Sequence, residues 1–92
     1  MQLSVTIVRI LETKEIGASQ FKVREIHADT EEQYTQRLAI QFTQDKCALL
    51  DNFKPGEKVK IDINLKGREA NNKDGEPVVY NTIQGWRIEK AV

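Results

Sequence analysis

The stretch Asp45–Arg68, DKCALLDNFKPGEKVKIDINLKGR, holds the clearest change of rhythm in the chain. Its second half alternates: Val59, Ile61, Ile63 and Leu65 interleave with Lys58, Lys60, Asp62, Asn64 and Lys66. A period of two marks a strand with one buried face. Its first half has another period. Apolar residues fall at Cys47, Leu49, Leu50 and Phe53, with the pairs 46/50 and 50/53 at helical spacing. Asp45 stands where an N-cap would, and Lys54-Pro55-Gly56 ends the segment. A short helix therefore leads directly into a strand.

The flanking segments alternate too. Gln36 to Thr43 places Leu38, Ile40 and Phe42 inward, with Arg37 and Gln41 outward. Near the N-terminus Leu3, Val5 and Ile7 share a parity that slips to Val8 and Ile10, which predicts a β-bulge near Thr6–Val8. Gln20 to Thr30 moves from Phe21 and Val23 to Ile26 and Ala28, which suggests a bend. Val78 to Glu89 carries Val79, Tyr80, Ile83, Trp86 and Ile88 and also changes parity. Turns are expected at Gly17, Pro55-Gly56, Gly67 and Asp74-Gly75-Glu76-Pro77.

The order is thus β-β-β-α-β-β. Flat sheets keep one parity per strand, whereas small barrels need bulges and glycines where strands coil. The expected fold is all-β: a five-stranded Greek-key OB-fold barrel, with a short helix between strands three and four. Leu49, Leu50 and Phe53 would plug its lower end. An SH3-like barrel, which lacks the helix, and a two-layer α+β sheet are the alternatives.

The chain has 92 residues, so a single domain over 1–92 is expected. Fourteen Lys and Arg balance fourteen Asp and Glu, which argues against a protein that is basic all over. The balance is uneven along the chain. Residues 58–92 hold seven Lys or Arg against five Asp or Glu, and residues 29–57 hold three against six. Cys47 is the single cysteine and His27 the single histidine, so neither a disulfide nor a zinc site can be assembled from them. Cys47 reads as a small core residue and His27 as a strand or surface side chain. Asp29, Glu31, Glu32 and Asp45 lack the order of a calcium loop. There is no nucleophile elbow, no phosphate-binding glycine loop and no secretion signal, so a non-enzymatic, cofactor-free cytoplasmic protein is expected.

Phe53-Lys54-Pro55-Gly56-Glu57-Lys58-Val59-Lys60-Ile61, continuing to Leu65-Lys66-Gly67-Arg68, resembles the approach to the fourth strand in bacterial single-stranded DNA-binding proteins. Lys73-Asp74-Gly75-Glu76 resembles the long loop that follows in that group. Glu32-Gln33-Tyr34 together with Tyr80-Asn81-Thr82-Ile83-Gln84-Gly85-Trp86-Arg87-Ile88 resembles a family of short, uncharacterised bacterial and phage OB-fold proteins distantly similar to that group. The resemblance covers about Phe21 to Ile88. Ala70 and Thr43 stand where these families often carry aromatic residues.

The resemblance implies binding of single-stranded nucleic acid, DNA ahead of RNA, with little sequence preference. OB-folds do this with a basic groove and exposed aromatics on which bases stack. The candidate cations are Lys14, Lys22, Arg24, Arg37, Lys66, Arg68 and Lys73, and the candidate platforms are Phe21, Tyr34 and Tyr80. The plain alternative for each is a solvated strand residue or a packing residue. Phe42 and Phe53 sit on core parity, and Trp86 reads as a half-buried barrel residue. Further copies of the chain are an expected partner; no membrane and no small-molecule substrate is indicated. The competing function is a protein-interaction module that kept the barrel and lost the nucleic-acid face.

Overall fold

The computed structural model describes residues 1–18 and 20–91. Its elements are β1 (Gln2–Ile10), β2 (Lys14–Ile16), β3 (Phe21–Thr30), β4 (Arg37–Thr43), a 3-10 helix (Gln44–Asn52), β5 (Lys58–Asn71) and β6 (Pro77–Lys90). Five of the strands close on themselves in the ring β1-β5-β6-β4-β3, because β3 also pairs with β1. Among the described residues every strand pairing is antiparallel except β4 with β6, which is parallel and engages only Ile40 with Ile83 and Gln41 with Gln84. This is the OB-fold barrel, with its helix between β4 and β5. The sequence reading missed β2, a three-residue strand that lengthens the β2–β3 hairpin along Phe21–Val23.

The parity slips have two different causes. In β1, Ile7 pairs with Ala28 and Arg9 with His27, so Val8 is the extra residue of a bulge. Val5 and Ile7 are buried before it, and Ile10 packs on the core after it. In β6, Arg87 pairs with Asp62 and Gly85 with Ile63, so Trp86 is the bulged residue. In β3 there is no slip, since Val23 to Asp29 pair with Thr43 to Arg37 in unbroken register. There the apolar residues change face: Ile26, Ala28 and Thr30 point inward, while Phe21 and Val23 belong to the outer face.

The core is Val5, Ile7, Ile26, Ala28, Ile40, Phe42, Leu50, Val59, Ile61 and Ile63. The helix closes one end of it with Leu50 and Cys47 buried, and Leu49 and Phe53 half-buried. It is a 3-10 helix rather than an α-helix. Cys47, Leu50 and Phe53 recur every third residue, which is the 3-10 repeat, so one line of side chains faces the barrel. Thr43 occupies the N-cap and makes no side-chain capping bond; Asp45 lies in the first turn instead of capping it.

Leu65 departs from its expected place. The alternation of β5 continues through it, yet Leu65 is 67 % exposed. β1 accompanies β5 only from Lys58 to Asp62, and β4 accompanies β6 only at Ile83 and Gln84, so Leu65 lies where the β5–β6 pair leaves the barrel as a two-stranded ribbon. The radius of gyration, 14.5 Å, reflects this projection, since a compact chain of this length has about 12 Å.

Gly85 sets how closely β6 approaches the core. A Cβ there would lie 2.5 Å from Phe42 Cζ. Gly85→Ala is therefore expected to cost about 1–3 kcal/mol by overpacking. Urea unfolding of the variant checks this, and Phe42→Leu in the same chain should recover part of the loss.

Candidate nucleic-acid interface

Residues directly opposite one another in a sheet share a face. On β3 and β4 the outer face carries Val23, Glu25, His27 and Asp29 against Thr43, Gln41, Ala39 and Arg37. Gln84 pairs with Gln41, so Tyr80, Thr82 and Gln84 of β6 continue the same face, followed by Arg68, Lys66 and Asn64 of β5. At the other end Lys14 and Ile16 pair with Val23 and Phe21 and join it. Six of the sequence candidates, Lys14, Phe21, Arg37, Lys66, Arg68 and Tyr80, thus share one sheet face. The other four do not. Lys22 and Arg24 have the inward parity of Ile26, Tyr34 sits in the turn between β3 and β4, and Lys73 sits at the ribbon tip.

Ion pairing divides the cations further. Arg37 donates through Nε and an Nη to the two carboxylate oxygens of Asp29, at 2.8 and 3.1 Å. That hydrogen bond and the guanidinium charge hold the Asp29 carboxyl below its ordinary pKa, and the same hydrogen bond with the carboxylate charge raises that of Arg37. On the same face Arg9 lies 2.8 Å from His27 Nδ1, and His27 Nε2 lies 3.2 Å from Glu25. Acids neutralise much of the charge on β3 and β4. Among the described residues, Lys66 and Arg68 take part in no ion pair.

Those two cations flank an aromatic ring. Arg68 and Tyr80 are cross-strand partners, with the guanidinium carbon 5.7 Å from the ring centroid. That is cation–π distance. Lys66, Gly67, Arg68, Tyr80 and Thr82 line an open cleft of about 440 Å³. Tyr80 is 53 % exposed, so the ring is held by Arg68 and still open to solvent. Thr82 and Gly67 escaped the sequence reading because neither residue type signals recognition.

The ribbon tip has a fixed shape. Asn72 Oδ1 accepts from the backbone N–H groups of Asp74 and Glu76 at 2.9 and 3.0 Å. Gly75 supplies the left-handed φ of +79° that closes the turn. Lys73 is carried here beside Asp74 and Glu76.

Arg24 serves the barrel. Its guanidinium donates to the Leu11 carbonyl at 2.8 Å, the Cys47 carbonyl at 3.3 Å and the Asp51 carboxylate at 2.6 Å. It thereby ties the segment after β1 to the helix. It lies in a cleft of about 690 Å³ whose carboxylates, Glu12, Glu15, Asp45 and Asp51, outnumber Lys22 and Arg24. That cleft suits a polyanion poorly, although it is larger than the one at Tyr80. Cys47 donates its thiol to the Phe42 carbonyl at 3.3 Å, and burial pushes its pKa up. Among the described residues no group of three or more His, Cys, Asp or Glu is placed to hold a metal, and no helix is long and apolar enough to cross a membrane.

Residues 2–89 match the family described as "Domain of unknown function (DUF3127)", and the chain belongs to that family. Among curated proteins, none matches its sequence. Solved structures share its fold. The protein priB from Ralstonia solanacearum superposes with a TM-score of 0.72 at 13 % identity, over 99 % of this chain and 96 % of that one. The mitochondrial single-stranded DNA binding protein Rim1 from S. cerevisiae superposes with a TM-score of 0.67 at 14 % identity, over 98 % and 93 %. The chain is thus an OB-fold protein distantly similar in structure to a single-stranded DNA-binding protein.

Two outcomes follow from the ion pairs. Arg24→Ala leaves the Leu11 and Cys47 carbonyls and Asp51 without their donor and should lower stability by about 1–3 kcal/mol, read by urea denaturation. For Asp29, a depressed folded-state pKa means that the pair stabilises above the unfolded carboxyl pKa and loses that contribution as pH falls through the folded one. An NMR carboxyl titration should place the Asp29 midpoint below the ordinary aspartate value, and Arg37→Gln should return it upward.

Proposed function

We propose that this chain, a single OB-fold domain over 1–92, is a non-enzymatic protein that binds single-stranded nucleic acid through its outer sheet face. The observation that carries the reading is the Lys66–Arg68–Tyr80 cluster. Two cations outside any ion pair and one open ring share the ribbon face that continues the β3–β4 sheet.

The chemistry fits a strand bound without regard to sequence. Lys66 and Arg68 would meet phosphates, and Tyr80 offers a π surface to any base. Phe21, with Ile16 and Lys14 beside it, is a second platform toward the other end of the same face. Arg37 would contribute position more than charge, because Asp29 already neutralises it. Lys73 would reach the strand from the ribbon tip. Lys22, Arg24 and Tyr34 fall outside the proposed contact set. Rim1, which shares the fold, is a single-stranded DNA binding protein, and this favours DNA over RNA.

Fluorescence anisotropy with labelled oligo-dT at low salt tests the proposal. Tyr80→Ala should weaken binding by about 1–3 kcal/mol, the usual worth of one stacked base. Lys66→Ala should reduce the slope of log K against log salt by about 0.7, one single-strand phosphate contact. Competition by oligo-U should be weaker than by oligo-dT. Absence of binding at low salt, or binding indifferent to both substitutions, overturns the assignment.

A further inference from the structure

The ribbon has two edges, and they differ in character. On the β5 edge, the stretch from Leu65 to Asn71 carries Lys66, Arg68 and Glu69. Charged residues of this kind are how sheets protect an open edge. On the β6 edge, no residue from Pro77 to Trp86 is charged, and Val78, Val79, Tyr80, Thr82 and Ile83 are β-branched or aromatic. Val79 is 61 % exposed and Tyr80 is 53 % exposed. Beyond Ile83 and Gln84, β6 has no pairing with β4. Its open edge is therefore bounded by Pro77, which has no N–H to donate, and by Ile83, whose side of the strand β4 already occupies. Between these limits lie Val78 to Thr82.

We propose that this edge pairs with its own copy, joining two chains through antiparallel β6–β6 addition about a two-fold axis. Charge decides the occupant. A β5 edge paired to itself about its middle, Arg68, would set Arg68 against Arg68 of the second copy, and like charges directly opposite destabilise a sheet. The β6 edge meets no such opposition. A two-fold pairing that uses the whole open stretch must centre on its midpoint, Tyr80. Tyr80 then faces Tyr80, Val79 faces Asn81 and Val78 faces Thr82. Aromatic and β-branched cross-strand pairs are the favourable kind. The pairing also converts a projecting two-stranded ribbon, marginal by itself, into four strands. So short a contact belongs at the small end of protein interfaces, so the association is a weak one.

The inference does not depend on the proposed function. On that reading, pairing would set two Arg68–Tyr80 stacks side by side on one face, but the association itself needs no nucleic acid.

Sedimentation equilibrium of the full chain across the micromolar range, without nucleic acid, tests it. Wild type should show a concentration-dependent monomer–dimer equilibrium. The double variant Val79→Lys/Asn81→Lys places lysine opposite lysine and should be monomeric throughout. Val79→Lys/Asn81→Glu places lysine opposite glutamate and should restore the dimer. Circular dichroism checks that each variant is folded. A wild-type chain that stays monomeric overturns the inference. So does a dimer that survives the double-lysine change in a folded protein, or a lysine–glutamate variant that is folded yet monomeric. Anisotropy with oligo-dT on the same samples reads the nucleic-acid assignment separately.

Discussion

The constraint on which the molecule depends is the narrow join between β4 and β6. A sheet becomes a barrel only if its ends meet, and here they meet through two residue pairs, Ile40–Ile83 and Gln41–Gln84. Phe42 makes the join possible from inside, because its ring fills the space a side chain at position 85 would need. The Trp86 bulge lies directly after this point, and β6 stays paired with β5 on both sides of it. On one side of the join β6 is barrel wall. On the other side it is free to leave with β5 as a ribbon.

That geometry explains where charge does and does not accumulate. A net charge of zero would spread acid and base evenly if residues were scattered at random. Instead the β3–β4 face carries its own counter-ions, Asp29 for Arg37 and Glu25 beside His27. Surface pairs of this kind add little stability. Their effect is to remove charge from the middle of the outer face. The ribbon lies apart from those acids, and among the described residues Lys66 and Arg68 enter no ion pair. The divergence of the strands thus leaves these two cations without a counter-ion on their own face, although the ribbon as a whole balances Lys66, Arg68 and Lys73 with Glu69, Asp74 and Glu76.

Much of this was legible in the chain. Helical spacing ahead of a strictly alternating strand gave the order of elements, and each true bulge lay at or beside a parity slip. The inward direction of Arg24 was also visible, since it shares the parity of Ile26 and Ala28. Its partner Asp51 was not, because the contact crosses from β3 to the helix and depends on barrel closure. Leu65 misled for a related reason. Alternation records which side of a strand faces inward, and nothing in it marks where the inside ends. The segment Lys14–Ile16 has too few residues to show a period, so β2 appeared only when Phe21–Val23 needed a neighbour. The spacing of three in Cys47, Leu50 and Phe53 was present in the sequence but short enough to pass for an α-helical turn.

The ribbon divides its work between two strands by residue type. β5 brings the charges, alternating with Gly67 and Ala70, and keeps its own edge closed to pairing. β6 brings Tyr80 and an uncharged, β-branched edge. An edge of that composition is a hazard in a protein that has no use for it, because any extended chain can add to it. One lysine among Val78 to Thr82 would remove the hazard at almost no cost to the fold, since these residues lie outside the core. Keeping the stretch uncharged leaves Tyr80 with an exposed ring and an unpaired backbone edge. Strand addition along that edge would put the hydrogen bonds on the backbone and set the rings side by side, so on the proposed pairing the ring faces and the cations of β5 would still point outward.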